Sequence, residues 1–215
     1  MNMKLYGHPL STRTLKVLTL LAEKGHKAEF VLVDLTKGEH KQPDHLARHP
    51  FGVVPALDDN GFMLYEAHAI CRYLDETLSG PKLTPETAQD RALMDQWISV
   101  ESSYFSPAAM KVAFATVFTA RLGKPVDEDK LKVGREATTK AAVVLDRHLE
   151  GKDFFVANQF TLADICYLPY LDFLFAGKQG DLITDHKHLA SWWRRCSARK
   201  SWAIATGKEG ASAAH

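Results

Sequence analysis

The chain has 215 residues, a length that admits one large domain or two small ones. Charged residues make up 25% of it and hydrophobic residues 46%, as in ordinary globular proteins, which argues against a disordered, collagen-like or disulfide-rich chain. The 27 basic and 26 acidic residues leave a net charge of +1 with no basic run, so the chain lacks the positive field expected of a nucleic-acid binder.

The first part of the chain alternates short strand-like runs with helical segments. We predict a strand over residues 3–6, then a helix that Ser11 or Thr12 caps and that ends near Lys24 and Gly25. A second β-rich run covers residues 30–35. A β-α-β unit of this kind implies a parallel strand pair with a right-handed crossover.

Next comes a second α/β piece. Residues 37–41 are polar without periodicity and are predicted to form a loop, and residues 55–58 and 62–65 are predicted to form a hairpin. A helix then begins at Glu66, and its predicted inner face comprises Ala69, Ile70, Tyr73 and Leu74. We assign residues 1–78 to an α/β domain.

The remainder of the chain has helical patterns and no strand signal. Residues 79–87 are rich in Pro and Gly and are predicted to be a linker, followed by an all-helical domain over residues 88–215. Pro107 and Pro169 are expected to kink or break their helices because proline removes a backbone donor. The predicted helices span residues 88–120, 127–149, 162–176 and 186–196.

The cysteines and the length of the apolar runs indicate the cellular compartment of the protein. The chain has three cysteines, an odd number without CxxC spacing, and they fall in apolar helical stretches: Cys71, Cys166 and Cys196. We therefore expect free thiols in the core and a reducing compartment. Nowhere do 18 uninterrupted apolar residues occur, and no targeting segment is evident. We therefore expect a cytoplasmic protein that does not interact with a membrane.

Five motifs in fixed order carry a resemblance. They are Gly7-His8-Pro9-Leu10-Ser11, Gly38-Glu39-His40-Lys41, Pro50-Phe51-Gly52-Val53-Val54-Pro55, Glu66-Ala67-His68-Ala69-Ile70, and a capping box from Thr161 to Asp164. Together they resemble the cytosolic glutathione S-transferases, and the first two resemble the phi class. The resemblance implies a thioredoxin-like N-terminal domain that binds glutathione and a helical C-terminal domain that completes a site for a small apolar electrophile, usually in a homodimer.

The resemblance implies that Ser11 is the catalytic residue. Its hydroxyl would donate a hydrogen bond to the glutathione sulfur and so stabilise the thiolate. From spacing alone Ser11 is more simply an N-cap, the ordinary role of serine before a helix. Thr12, the next residue, also carries a hydroxyl and is the second candidate at the glutathione site.

Further glutathione contacts follow from the same resemblance. Pro55 resembles the family's cis-proline, which leaves the backbone of Val54 to pair with the cysteinyl part of glutathione. Glu66 and Ala67 match the positions that bind the γ-glutamyl end, where the family usually has serine at the second place. Because alanine has no hydroxyl, Ala67 lacks one hydrogen bond that serine would make there, worth about 0.5–1.5 kcal/mol.

The remaining candidate positions have strong alternative interpretations. His40 and Lys41 match residues that face the glycyl carboxylate, although a polar loop of this kind is usually just solvated. Phe51 matches an aromatic that related enzymes insert into the partner subunit. Aromatics at helical spacing are more often core than pocket. The candidates for the electrophile pocket are Leu10, Tyr104, Phe105, Phe114 and Phe118.

Three functions compete. The leading hypothesis is a glutathione transferase that conjugates apolar electrophiles, with a glutathione-dependent peroxidase as a side activity. A thiol oxidoreductase on the same fold needs a cysteine near Ser11, and none occurs before Cys71. A non-catalytic carrier or scaffold with this fold is the third. The ten histidines show no metal-ligand spacing, so we expect no metal and no cofactor besides glutathione as co-substrate.

Overall fold

A computed structural model describes residues 3–208 of the chain, and these form two compact units. The first comprises residues 3–83 together with 198–208, and the second comprises residues 84–197. The predicted change from an α/β part to an all-helical part is confirmed. The division after residue 83 lies within the segment predicted as a linker, residues 79–87. The last described residues, from 198 onward, differ from the prediction because they pack with the first unit.

The first unit is built on a mixed sheet of four strands. They are β1 (Met3–Gly7), β2 (Glu29–Leu32), β3 (Ala56–Asp59) and β4 (Phe62–Tyr65). The spatial order is β2-β1-β3-β4, with β1 and β2 parallel and the other two pairs antiparallel. The parallel pair and the hairpin of β3 and β4 were both predicted, and both are confirmed.

Helices account for most of the other described residues. In the first part of the chain they are α1 (Thr12–Glu23), α2 (Pro43–Leu46) and α3 (Ala67–Thr77). In the second unit they are α4 (Ala88–Val100), α5 (Ser106–Ala113), α6 (Thr119–Arg121), α7 (Glu128–Leu149), α8 (Leu162–Ala176), α9 (Asp181–Thr184) and α10 (Lys187–Ser197). The last helix is α11 (Lys200–Thr206). No helix among residues 3–208 is long and apolar enough to cross a membrane.

The core of the first unit lies between the sheet and the pair α1 and α3. Leu5, Leu20, Leu57 and Leu74 are fully buried there. Ala69 was predicted to face inward on α3, but it is exposed, and Cys71 takes its place in the buried stripe. The buried stripe follows the 3.6-residue helical period from Ala67. The helix itself was therefore predicted correctly, and only the face that it buries was wrong in part.

Two short elements depart from the predictions. β2 ends at Leu32, three residues earlier than expected, because Asp34 turns the chain by accepting the backbone N–H of Thr36 at 2.9 Å. The predicted polar loop is instead a 3₁₀ turn (Glu39–Lys41) followed by α2. Pro43 suits the first turn of α2 because its missing N–H would have no partner there.

The second unit begins with one long helical stretch that contains two wide turns. π-helical turns at Glu101–Phe105 and Phe114–Phe118 separate α4, α5 and α6, which were predicted as a single helix over residues 88–120. Pro107 was expected to kink or break this helix; the regular α-helix is interrupted just before it, by the wide turn that ends at Phe105, and Pro107 lies in the first turn of α5. The helix α8 continues through Pro169, so of the kink or break expected there, a break does not occur.

Asp164 organises the start of α8. Its carboxylate is fully buried and accepts the backbone N–H groups of Thr161 at 2.8 Å and Phe155 at 3.1 Å, and the indole N–H of Trp192 at 2.8 Å. Burial raises the pKa of Asp164 to about 6, while the hydrogen bonds from Trp192 and Thr161 lower it. The predicted capping box is therefore present. The same carboxylate also holds the loop at Phe155 and, through Trp192, the helix α10.

Candidate active site

Ser11 caps the first helix at the point where β1 ends. Its Oγ accepts the backbone N–H of Thr14 at 3.2 Å, and its own N–H donates to the carbonyl of His8 at 2.9 Å. The side chain of Ser11 is half-buried. Because Oγ accepts the Thr14 amide, the hydroxyl proton is not used in this cap and remains available for another acceptor. Gly7 allows this close turn, since a Cβ there would lie 2.6 Å from the Thr14 methyl group.

The neighbours of Ser11 are also accessible. Thr12, the first residue of α1, is half-buried, and the Leu10 side chain is exposed. The backbone N–H of Leu10 donates to Nδ1 of His8 at 3.2 Å, which fixes the turn. The apolar side chain of Leu10 therefore precedes the hydroxyl donor of Ser11 at the start of α1.

Val54 and Pro55 are joined by a cis peptide bond immediately before β3. Within residues 3–208 the backbone N–H and C=O of Val54 make no hydrogen bond. The neighbouring Val53 carbonyl is taken by Nε2 of His45 at 2.7 Å, so that ring nitrogen carries the proton. Val54 thus presents one unused donor and one unused acceptor, as the edge of a sheet does.

Glu66 joins β4 to α3 with an unusual backbone. Its φ is 71°, in the left-handed region that disfavours a residue with a Cβ, and its carbonyl accepts the N–H of Ile70 at 2.9 Å. The Glu66 side chain is exposed and Ala67, the first residue of α3, is buried. A conformation of this kind costs about 1–3 kcal/mol and is typical of ligand clamps.

Strand register brings these positions to one end of the sheet. Tyr6, near the end of β1, pairs with Ala56 at the start of β3, and Ala56 pairs in turn with Tyr65 at the end of β4. Ser11, the Val54 and Pro55 pair, and Glu66 with Ala67 therefore all emerge from the same end. Two helix N-termini, those of α1 and α3, lie there and favour anionic groups.

His40 and Lys41 lie in the 3₁₀ turn beside the Phe51 loop. The Lys41 ammonium donates to the Phe51 carbonyl at 3.1 Å. Burial, followed by the charges of Lys41 and His45, lowers the pKa of His40, so this ring is neutral at neutral pH. Gly52 is required in the loop because its φ is +59° and a Cβ would meet the His40 carbonyl oxygen at 2.8 Å.

Two buried histidines were missed by the sequence analysis. His45 supports Val53, as above, and His49 is only 1% exposed, with its ring 4.8 Å from Tyr65 and 6.3 Å from Phe51. Burial chiefly lowers the pKa of His49, although the charge of Glu66 raises it. The spacing of four residues between the two histidines, just after Pro43, was the available signal for a short helix with a buried face.

The aromatic candidates of the second unit fall into two groups. Tyr104 and Phe114 are exposed, and the Phe114 ring packs at a tilt against half-buried Phe118 with 4.9 Å between ring centroids. Phe105 is fully buried, and its ring packs against Tyr167 at 5.3 Å. The structure therefore places Phe105 in the core of the helical unit and the other three at its surface.

Comparisons with known proteins agree with this geometry. Residues 1–76 match the family model "Glutathione S-transferase, N-terminal domain" and residues 105–200 match the C-terminal domain model. The plant phi-class relative glutathione S-transferase F9 of Arabidopsis thaliana is 36% identical over 94% of this chain and 95% of its own. Glutathione transferase F2 of Populus trichocarpa is 34% identical with a TM-score of 0.90 over 96% of this chain and 98% of its own. Glutathione S-transferase I of maize, solved with an atrazine glutathione conjugate, is 29% identical with a TM-score of 0.88 over 99% and 100%. The chain belongs to the glutathione S-transferase family.

Proposed function

We propose that this transferase holds glutathione at the end of the sheet described above and that the Ser11 hydroxyl stabilises its thiolate. The observation that carries the proposal is that Ser11 Oγ accepts the Thr14 amide, so the hydroxyl proton remains available for a ligand. The glutathione contacts in this proposal are Thr12, His40, Lys41, Val54, Pro55, Glu66 and Ala67.

The energies are sufficient for thiolate formation. A free thiol has a pKa of about 8.5, so little thiolate exists at neutral pH. Lowering that pKa by about two units requires about 2.7 kcal/mol. A hydrogen bond to a charged sulfur contributes about 1.5–3 kcal/mol. The N-terminus of α1 adds about 0.3–1 kcal/mol.

The reaction is nucleophilic substitution or addition at an electrophilic carbon. With an aryl halide, the thiolate sulfur forms a bond to the ring carbon, the halide leaves with the bonding electron pair, and the thiol proton passes to water. Leu10, Tyr104, Phe114 and Phe118 offer apolar surface for such a substrate, whereas burial of Phe105 favours a core role for it. Apart from glutathione as co-substrate, this chemistry needs no metal and no further cofactor.

The partner we propose is a second copy of the chain. Phe51 is 71% exposed at the tip of its loop, and Phe62, Met63 and Tyr65 expose apolar surface on the edge strand β4. A monomeric surface rarely leaves so many large apolar side chains uncovered around one sheet edge. We also propose a cytoplasmic location, which the three buried free thiols support.

Steady-state kinetics separate this function from its alternatives. Glutathione should be turned over with aryl halides, isothiocyanates or enals, and calorimetry should detect glutathione at millimolar concentration. Turnover with organic hydroperoxides alone would indicate a peroxidase instead. Glutathione binding without turnover of any of these would indicate a carrier, and absence of binding by folded protein would remove the proposed site altogether.

A further inference from the structure

The first turn of α1 carries a positive charge. Arg13 is the second residue of this helix, and its side chain is exposed. Within residues 3–208 the guanidinium makes no ion pair and no hydrogen bond. The positive end of a helix disfavours a cation, and the first turn of α1 holds no acidic residue that would compensate for it. An anion bound beside Arg13 would remove this unfavourable interaction.

The face of α1 that carries Arg13 lies against the start of α3. Lys16, three residues after Arg13 and therefore its neighbour on the helix surface, donates its ammonium to Nε2 of His68 at 3.0 Å. His68 directly follows Ala67 in the first turn of α3. Side chains lean toward the N-terminus of their helix, so Arg13 lies one turn closer than Lys16 to the end of the sheet where both helices begin. The guanidinium therefore flanks the first residues of α3.

The environment of His49 supports this position. Its buried ring lies 4.8 Å from Tyr65, the residue before Glu66. Burial chiefly lowers the pKa of His49, the charge of Glu66 raises it, and the charges of His45 and Arg13 lower it further. Because exposed charges more than about 10 Å apart are largely screened, the Arg13 and Glu66 charges both lie near this ring. Among the described residues the Glu66 carboxylate, like the guanidinium, has no ion-pair partner.

One end of glutathione matches this set of groups. The γ-glutamyl end carries an ammonium and a carboxylate on the same carbon, whereas the glycyl end carries only a carboxylate. The Glu66 carboxylate suits the ammonium, and the free N–H groups at the start of α3 suit the carboxylate. A carboxylate offers about four acceptor sites on its two oxygens, and the methyl group of Ala67 supplies no donor for them. A further donor must therefore come from another residue.

We propose that Arg13 is a specificity residue, which binds the γ-glutamyl carboxylate of glutathione beside Ala67. The inference rests on the proposed function and adds a residue to that same site. A guanidinium matches a carboxylate with two parallel N–H donors, so Arg13 can distinguish this end of the ligand from an uncharged one. The contact is the same before and during the reaction at sulfur, so it contributes to binding and not to kcat.

Two ligands that differ only in this carboxylate test the proposal. Dissociation constants are measured for glutathione and for γ-aminobutyryl-cysteinylglycine, with competition against glutathione where binding is weak. Arg13→Gln should bind glutathione about fivefold more weakly than wild type, the upper range for an exposed ion pair, and should bind the analogue equally well. Arg13→Lys keeps the charge and should lose less. Ala67→Ser in the Arg13→Gln background should restore part of the affinity, because a hydroxyl there would donate to the same carboxylate.

Two controls separate binding from folding. Lys27→Gln removes an exposed charge from the same unit and should leave both dissociation constants unaltered. Arg13→Gln should unfold at the same urea concentration as wild type or at a higher one, because it removes a cation from a helix N-terminus. A lower glutathione affinity of this variant then reflects a lost contact with the ligand.

The possible failures are distinguishable. Equal glutathione binding by wild type and Arg13→Gln, or an equal loss for both ligands, overturns the inference and leaves the proposed function intact. A lower kcat of Arg13→Gln with a shifted pH profile and an unchanged dissociation constant would assign Arg13 to the thiolate and also overturn it. If folded wild-type protein does not bind glutathione, the proposed function fails and this inference fails with it.

Discussion

Replacing Lys24 with methionine should destabilise the protein strongly. The Lys24 ammonium is fully buried and donates to Asp75 Oδ1 at 3.0 Å, to the Asp75 carbonyl at 3.1 Å and to the Pro81 carbonyl at 3.0 Å. The same Oδ1 accepts the Leu83 N–H at 3.0 Å, so the pair also fixes the end of the first unit. Removing one partner of a buried pair leaves an uncompensated charge and costs about 3–5 kcal/mol.

Urea unfolding at fixed protein concentration measures this cost. The double variant Lys24→Met with Asp75→Asn should lose less than the single variant, because it no longer buries a carboxylate charge from which the lysine charge has been removed. The matched control is Lys130→Met, since the Lys130 ammonium pairs with Asp127 at 2.7 Å with side chains 74% and 38% exposed. That control should cost less than about 1 kcal/mol. Equal losses for Lys24→Met and Lys130→Met would refute the reasoning.

Three other predictions concern pH, ligand and assembly. The pKa of Asp164 is raised from 3.8 to about 6, so between these pH values the folded protein binds a proton that the unfolded chain has released. The contribution of Asp164 to the free energy of unfolding therefore grows as pH falls. The stability of wild type relative to Asp164→Asn should thus rise by about 2 kcal/mol between about pH 7 and about pH 4, and a constant difference in urea titrations would contradict this. Ala67→Ser should tighten glutathione binding up to about tenfold in calorimetry, whereas an unchanged constant would mean that another group fills the role. Phe51→Ala should weaken the proposed dimer in light scattering at micromolar concentration, and an unaltered mass would show that Phe51 contributes nothing to association.

Local signals were enough for the larger elements of the fold. The hairpin follows from the Asp59-Asn60-Gly61 turn between two β-rich runs, and α8 from the Thr161 to Asp164 motif. The short helix α2 was missed because a helix of four residues is too short to show a periodic pattern within itself. Its one signal was the spacing of His45 and His49, and the burial of both depends on tertiary contacts.

The packing of the last helix could not be read from local sequence. The Arg199 guanidinium donates to both carboxylate oxygens of Glu23, at 2.6 and 2.8 Å, although the two residues are 176 positions apart. That contact, with the Ser201 hydroxyl on the same carboxylate, ties α11 to α1. Pairings at such separation leave no pattern within a window of 20 residues.

The candidate site was only partly predictable from physical patterns. Spacing indicated that a hydroxyl caps α1, and the structure selects Ser11 as the cap, but spacing alone did not predict a ligand there. The cis bond before Pro55 and the left-handed φ of Glu66 have no sequence signature apart from the family resemblance. The φ of Glu66 depends on the surrounding fold to hold an unfavourable local conformation.

The pH dependence of turnover in Ser11→Ala tests the central claim most directly. Thr87→Ala is the matched control, because Thr87 also caps a helix by accepting an N–H, that of Asp90 at 3.0 Å, and lies outside the proposed site. If Ser11 stabilises the thiolate, wild type and Thr87→Ala should reach their kcat plateau near neutral pH. Ser11→Ala should lose about 10²–10³-fold in kcat and keep rising toward the free-thiol pKa of about 8.5, with little change in glutathione affinity. Near-full activity of Ser11→Ala with an unshifted profile would contradict the account.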